Sequence, residues 1–375
     1  MELGQLPKEE FAERLTHVRQ AMAAEDLDAL LVYSWKRGQV RYVSGYHPNY
    51  VANVAMVVLP QKGDPTLLVR ITFDVGRARR VSWIGDVRGS GDWAGFVRDC
   101  QSILAAQGLD RARIGLVSGD SVVDEMPYIL RQGLAESLPR ATLVPALSLF
   151  DQARMRKSTR EGALMAASAK VADLAMAAAA EALAPGRSEY EVAAAAQGTA
   201  RSLGAEESLF VIADGSTELI RPPEDRLVQA GQMMVLEFAV QVDGYWTQVA
   251  RVFHVGKPTA EQRDMYSAAY RGYVAGLEAA RPGNKVSDVA NAELSALEAA
   301  GWLEWREYDL GHGDGLDHPE LPSITPQSEV RIEPGLVLCI HPGMRKPGVG
   351  GVFVGGTVLV REDKAVPLHD IPAEL

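Results

Sequence analysis

Residues 151 to 157 (DQARMRK) form a polar joint, and the pattern of the chain changes across it. Before the joint, helix and strand patterns alternate. Lys8 to Glu25 places Phe11, Leu15, Val18 and Met22 at helical spacing. Ala29 to Tyr33 (ALLVY) reads as a buried strand, and Val40 to Val43 leads into a Ser44-Gly45 turn. Val51 to Leu59 and Thr66 to Ile71 are strand candidates on either side of the turn-rich Pro60 to Asp64. Trp93 to Gln107 and Tyr128 to Ser137 read as helices, with a strand at Ile114 to Val117 between them. This alternation predicts a compact α/β domain over residues 1–150.

After the joint, Glu161 to Leu183 is rich in Ala, Met and Leu and lacks Pro, which predicts a long helix. A second helix is expected from Glu189 to Gly204. Strand patterns follow at Met233 to Val242, Gly244 to Val255, Leu336 to Pro342 and Gly351 to Val360. Helices are expected between them, at Ala260 to Ala280 and Val286 to Gly301. Helices followed by antiparallel-looking strands predict an α+β domain over residues 157–375. At 375 residues the chain is also long for a single core.

The net charge of −11 and the lack of any Lys/Arg block argue against a nucleic-acid or anionic-membrane surface. No apolar run in the sequence approaches the roughly 20 residues of a membrane helix. The polar, acidic start (MELGQLPKEEFAERL) lacks the features of a signal peptide, so cytoplasm is the expected compartment. Cys100 and Cys339 are far apart, form no metal-ligand spacing and read as reduced thiols.

Several strings together resemble one family, the prolidases, aminopeptidases P and creatinase. Met155-Arg156-Lys157-Ser158 resembles its linker. Val235-Leu236-Glu237 through Arg251 resembles its strand pair. Gly311-His312-Gly313 resembles its "GHG-x-G" turn. Cys339-Ile340-His341-Pro342-Gly343 stands where "T-I-E-P-G" is usual, and Gly350 to Val358 where "G-G-V-R-I-E-D-T-V" is usual. Arg41-Tyr42-Val43-Ser44-Gly45 resembles a string of the family's first domain. The resemblance implies a small creatinase-type N-terminal domain, a C-terminal pita-bread domain and a homodimer.

In the family's peptidases, two Asp, one His and two Glu bind two metal ions. The matching positions here hold Glu237, Gln248, His312, His341 and Gly355. One carboxylate against about four positive charges would be a costly balance in a buried site. The resemblance to creatinase, which works without metal, therefore leads to an expectation of no metal and no cofactor. The expected activity is a metal-independent hydrolase or lyase cleaving a C–N or related bond of a small polar metabolite. The alternatives are a metallopeptidase-like Xaa-Pro hydrolase with an unusual ligand set, including one metal on Glu237, His312 and His341, and a non-catalytic binding protein.

Glu237 interrupts an apolar strand (MMVLEFAV), where an unpaired carboxylate would be expensive. Glu237, His312 and His341 are the expected acid–base groups. Gln248 could donate a hydrogen bond to substrate, and Arg221 could clamp a substrate carboxylate or pair with Glu218 or Glu224. Glu320 and His318 are further substrate-binding candidates on a loop that also reads as solvated. In the first domain, His47 and Tyr50 flank a Pro turn that could reach a partner's pocket or be an ordinary turn.

Overall fold

The computed structural model describes residues 6–35, 38–48, 54–118 and 126–372. The chain divides into two compact units, Met1–Arg154 and Met155–Leu375.

The first unit contains α1 (Lys8–Ala24), β1 (Ala29–Trp35), α2 (Gln39–Ser44), β2 (Val54–Pro60), β3 (Thr66–Val69), α3 (Val75–Val81), β4 (Asp86–Gly89), α4 (Trp93–Ala106), β5 (Arg113–Leu116), α5 (Tyr128–Ser137), β6 (Thr142–Pro145) and α6 (Leu147–Met155). Its six-stranded sheet runs β4-β3-β2-β1-β5-β6. β2 is antiparallel to both β1 and β3, and the remaining pairs are parallel. Leu31, Met56 and Ile114 on the sheet pack with Phe96 and Leu104 of α4 and Leu130 of α5. The Val40–Val43 stretch lies inside α2, which ends at Gly45 in a left-handed conformation (φ 75°). The polar joint is also more ordered than its sequence suggests, because α6 runs through Met155.

The second unit contains α7 (Thr159–Ala182), α8 (Glu189–Ser202), β7 (Glu207–Ala213), β8 (Met233–Val242), β9 (Tyr245–His254), α9 (Ala260–Ala279), α10 (Val286–Ala299), β10 (Gly311–His312), β11 (Val337–Ile340), β12 (Gly343–Lys346), β13 (Gly350–Phe353), β14 (Gly355–Val360) and β15 (Ala365–Pro367). Its main sheet runs β10-β11-β14-β9-β8-β7, with β15 on β14, and every pairing is antiparallel. β12 and β13 form a separate antiparallel pair.

Local chemistry explains the start of this unit. Ser158 accepts a hydrogen bond from the Glu161 amide while the Glu161 carboxylate accepts one from the Ser158 amide, a capping box that begins α7. Ser188/Glu191 and Thr259/Gln262 begin α8 and α9 in the same way. β8 and β9 are joined by Asp243-Gly244, both at positive φ (49° and 89°), and Val242 pairs with Tyr245. That two-residue turn fixes the register of the hairpin.

α7 lies on β8 and β9. Its 24 residues are long and apolar enough to cross a membrane, contrary to the reading that no run approached that length. Here the helix serves as a core element. Ala172, Ala175 and Met176 are buried with Leu236, Phe238, Val240 and Val249, and Ser168 donates to the Val240 carbonyl at 3.0 Å.

Candidate functional site

β-sheet register brings the site together. Glu237 pairs with Ala250 and Ala239 with Gln248, so Glu237 and Gln248 project from the same face. The Gln248 side-chain amide donates to Glu237 Oε1 at 2.7 Å. On β14, the Thr357 hydroxyl accepts from the Gln248 backbone amide at 2.8 Å. Cys339 pairs with Thr357 on one side and with His312 on the other. His341, two residues beyond Cys339, completes the group, and its ring centroid is 5.1 Å from that of His312.

The fifth family position is closed. A Cβ on Gly355 would lie 1.9 Å from the Ile340 carbonyl oxygen and 2.9 Å from His341 Cα. The Gly355 carbonyl also accepts from Arg251 at 2.6 Å. No side chain can stand there without moving backbone.

Two residues that sequence reasoning passed over sit at the centre. Asp314 fills the variable place of the Gly-His-Gly-x-Gly turn and is fully buried. One of its oxygens contacts His318 Nδ1 at 2.9 Å, and the other accepts from Thr357 Oγ1 at 2.8 Å. Trp246 stacks on the His318 ring at 5.6 Å. His318 is thus a positioned imidazole with a carboxylate behind it, and not part of a solvated loop. Cys339, read as an ordinary thiol, faces the same cluster. An acid four residues before His318 was the available sequence signal for Asp314. Nothing local marked Cys339, because only strand register places it beside His312.

Burial governs the electrostatics. It raises the Glu237 carboxyl to about 7, with His318 pulling down and Asp309 and Asp314 pushing up. It lowers His341 to about 3, assisted by His312, so that imidazole is neutral. His312 is lowered by burial as well. Burial alone would raise Asp314, but the charge and hydrogen bond of His318, with His312 and Thr357, hold it below the usual carboxylate range. Glu237 Oε2, Gln248 Oε1 and both ring nitrogens of His341 have no hydrogen-bond partner among the described residues. Left dry, each such atom costs about 1–3 kcal/mol, a cost expected where a ligand completes the site.

Other candidates have other partners. Arg221 commits its fork to Glu189, at 2.6 and 2.7 Å, with Glu218 and Glu224 at 3.8 Å, so its guanidinium holds the chain rather than a substrate carboxylate. Glu320 forms a buried ion pair with Lys157 and does not stand at a solvated mouth. His47 lies in the first unit, where its carbonyl accepts from Arg77 at 2.7 Å. Tyr50 lies outside the described residues.

With that geometry in place, comparison with known proteins settles the family. Residues 163–362 match the model of metallopeptidase family M24, and residues 14–156 match the creatinase/prolidase N-terminal domain. The chain belongs to metallopeptidase family M24. A probable dipeptidase, PepE, of Mycobacterium tuberculosis is 31% identical over 262 residues, covering 68% of this chain and 69% of the relative. The crystal structure of dipeptidase PepE from Mycobacterium ulcerans superposes with a TM-score of 0.84 at 26% identity, covering 99% of both chains. The prolidase from Pyrococcus horikoshii gives the same TM-score at 22% identity, covering 97% of this chain and 99% of that one. The pita-bread domain and the creatinase-type domain before it agree with the sequence reading.

Family M24 corrects the expected activity. The relatives are named as dipeptidases and the family as metallopeptidases, which overturns a metal-independent enzyme acting on a non-peptide C–N bond. The residues nevertheless do not fit the two-ion arrangement that the resemblance implied. Gln248 is neutral and bonded to Glu237, and position 355 has no room for a carboxylate. Glu237 is the sole acid at the five positions.

Proposed function

We propose that the chain hydrolyses the peptide bond of dipeptides on the sheet face that carries Glu237, with an unusual ligand set. The observation that carries this reading is the presence near one sheet face of two groups suited to proton transfer: Glu237, with one oxygen unpartnered, and His318, held at Nδ1 by buried Asp314 and stacked on Trp246. The names of the relatives support the substrate class. In this reading Glu237 accepts a proton from the attacking water and His318 delivers one to the departing amine. Asp314 fixes the tautomer and ring plane of His318, and Gln248 holds the Glu237 carboxylate in place. The substrate is a small molecule, and we take the working form to be a homodimer, as the family resemblance implies.

The test is a panel of dipeptides, Xaa-Pro and others, offered to the purified chain and to Glu237→Gln and His318→Asn. Hydrolysis with a kcat about 10²–10⁴-fold lower in each variant is expected. If no dipeptide is cleaved, or both variants retain full kcat, the reading fails. A preference for Xaa-Pro would narrow the substrate class further.

A further inference from the structure

We propose that His312, Cys339 and His341 bind a single borderline-soft divalent cation, zinc(II) in the first instance, where other family members hold a pair of hard ions. This deepens the peptidase reading above and rests on it.

Three observations converge. One donor atom from each of the three residues lies within 4.8 Å of the other two. A tetrahedral zinc with nitrogen and sulfur ligands at about 2.0–2.3 Å needs only modest closure of that triangle. His341 is fully buried and neither ring nitrogen has a hydrogen-bond partner among the described residues, the nearest carboxylate being Asp309 at 3.6 Å from Nδ1, so Nε2 is available as a donor. His312 Nδ1 contacts the Gly313 carbonyl at 2.9 Å, which favours a proton on Nδ1 and leaves Nε2 as the ligand atom. Cys339 lies beside both: it pairs with His312 across the strands and stands two residues before His341, which follows directly on the end of β11.

Charge and ligand type agree with one ion. A dication is offset by the Cys339 thiolate and the Glu237 carboxylate. As the metal–sulfur bond forms, the thiol proton leaves to solvent. Histidine at position 341 and a thiol at 339 exchange hard oxygen donors for nitrogen and sulfur, which suits zinc or cobalt over magnesium or manganese. A second group of possible ligands, His312, Asp314 and His318, shares only His312. There both Asp314 oxygens are already engaged, by His318 and Thr357. Glu237 belongs to neither group, so the set Glu237, His312 and His341 expected as the one-metal alternative is replaced by one that uses Cys339.

The purified full chain, stripped by dialysis against a chelator, would be titrated with cobalt(II) alone. The expected result is one equivalent per chain and a thiolate-to-cobalt charge-transfer band in the near ultraviolet. Cys339→Ser should abolish the band, and Cys339→Ser and His341→Gln should each weaken binding more than about 100-fold, with circular dichroism confirming the fold. Asp314→Asn should keep the band. Should Cys339→Ser not fold, the wild-type spectrum and His341→Gln decide. No binding, two equivalents without a thiolate band, or binding lost in Asp314→Asn but kept in Cys339→Ser would each overturn the proposal. Because the readout is spectral, a chain that binds cobalt through sulfur yet cleaves no dipeptide refutes only the peptidase reading. An active chain with no thiolate band refutes only the ion site.

Discussion

On one face of β8, Leu236, Phe238 and Val240 are buried with Val171, Met176 and Val192 of the covering helices. On the other, Glu237 meets Gln248 in a row that continues through Thr357 and Cys339 to His312. The two faces use the same backbone and are equally hidden from water. The helix-covered face gains stability from every buried side chain, whereas the other keeps unpaired nitrogen and oxygen atoms at a cost that a bound ligand would offset. Alternation along a strand lets neighbouring residues serve opposite ends.

That contrast can be broken by substitution. Phe238→Ala, which removes a ring packed at 6.1 Å on Phe210, should cost about 3–5 kcal/mol in urea unfolding. Its neighbour Glu237→Gln should change stability by less than about 1 kcal/mol, because an amide replaces a carboxyl that burial already disfavours in its charged form. If Glu237→Gln destabilised as much as Phe238→Ala, the polar face would be structural after all.

Restoring the family's carboxylate tests the closed end of that face. Gly355→Glu should lower stability by about 3 kcal/mol or more, because its Cβ would enter the Ile340 carbonyl. A stable variant would show that the position can open.

Glu293 on α10 sharpens the comparison, since it is buried like Glu237 but lies outside the site. Both its oxygens lack partners among the described residues, and burial raises it well above the ordinary carboxylate range, with Asp309 adding to the rise. Above the unfolded value of about 4.3, the unfolded chain releases this proton while the folded chain keeps it. Stability therefore falls as pH rises through that window. Glu293→Gln should remove the fall. The variant should melt higher at pH 8 by about 2–4 °C for each kcal/mol regained, and the gain should vanish near pH 4. An unchanged melting difference across pH would refute the assignment. The smallest effect is expected at Ser158→Ala, which removes the cap of the helix covering the apolar face and should cost about 1 kcal/mol by the same unfolding measurement.

Much of the fold was legible because its signals are local. Tyr128–Ser137 and Met233–Val242 occur over the residues their patterns marked. β7, with Leu209 exposed and Phe210 buried, gave no comparably clear run and was missed. Gly351 to Val360 reads as one strand but is two, divided after Phe353, and the second strand begins at Gly355 under the Ile340 carbonyl. Within the site, Glu237, His312 and His341 were visible as ionisable groups in motif strings. The main partners of Arg221 and Glu320 were not legible because Glu189 and Lys157 lie 32 and 163 residues away, although the expected alternative contacts of Arg221 with Glu218 and Glu224 are present at 3.8 Å.

The sequence alone determined most of the order of elements and the α+β class of the second domain, since both are written in spacing along the chain, and its resemblance to the family marked the positions at which acids are lost. Only tertiary structure decided that Asp314 stands behind His318, that Cys339 joins His312 and His341, and that Gly355 leaves no room for a ligand. For His312 and Cys339 the reason is the register of antiparallel strands, where a shift of one residue would turn both side chains to the opposite face, and for Asp314 and His318 it is the loop that follows β10.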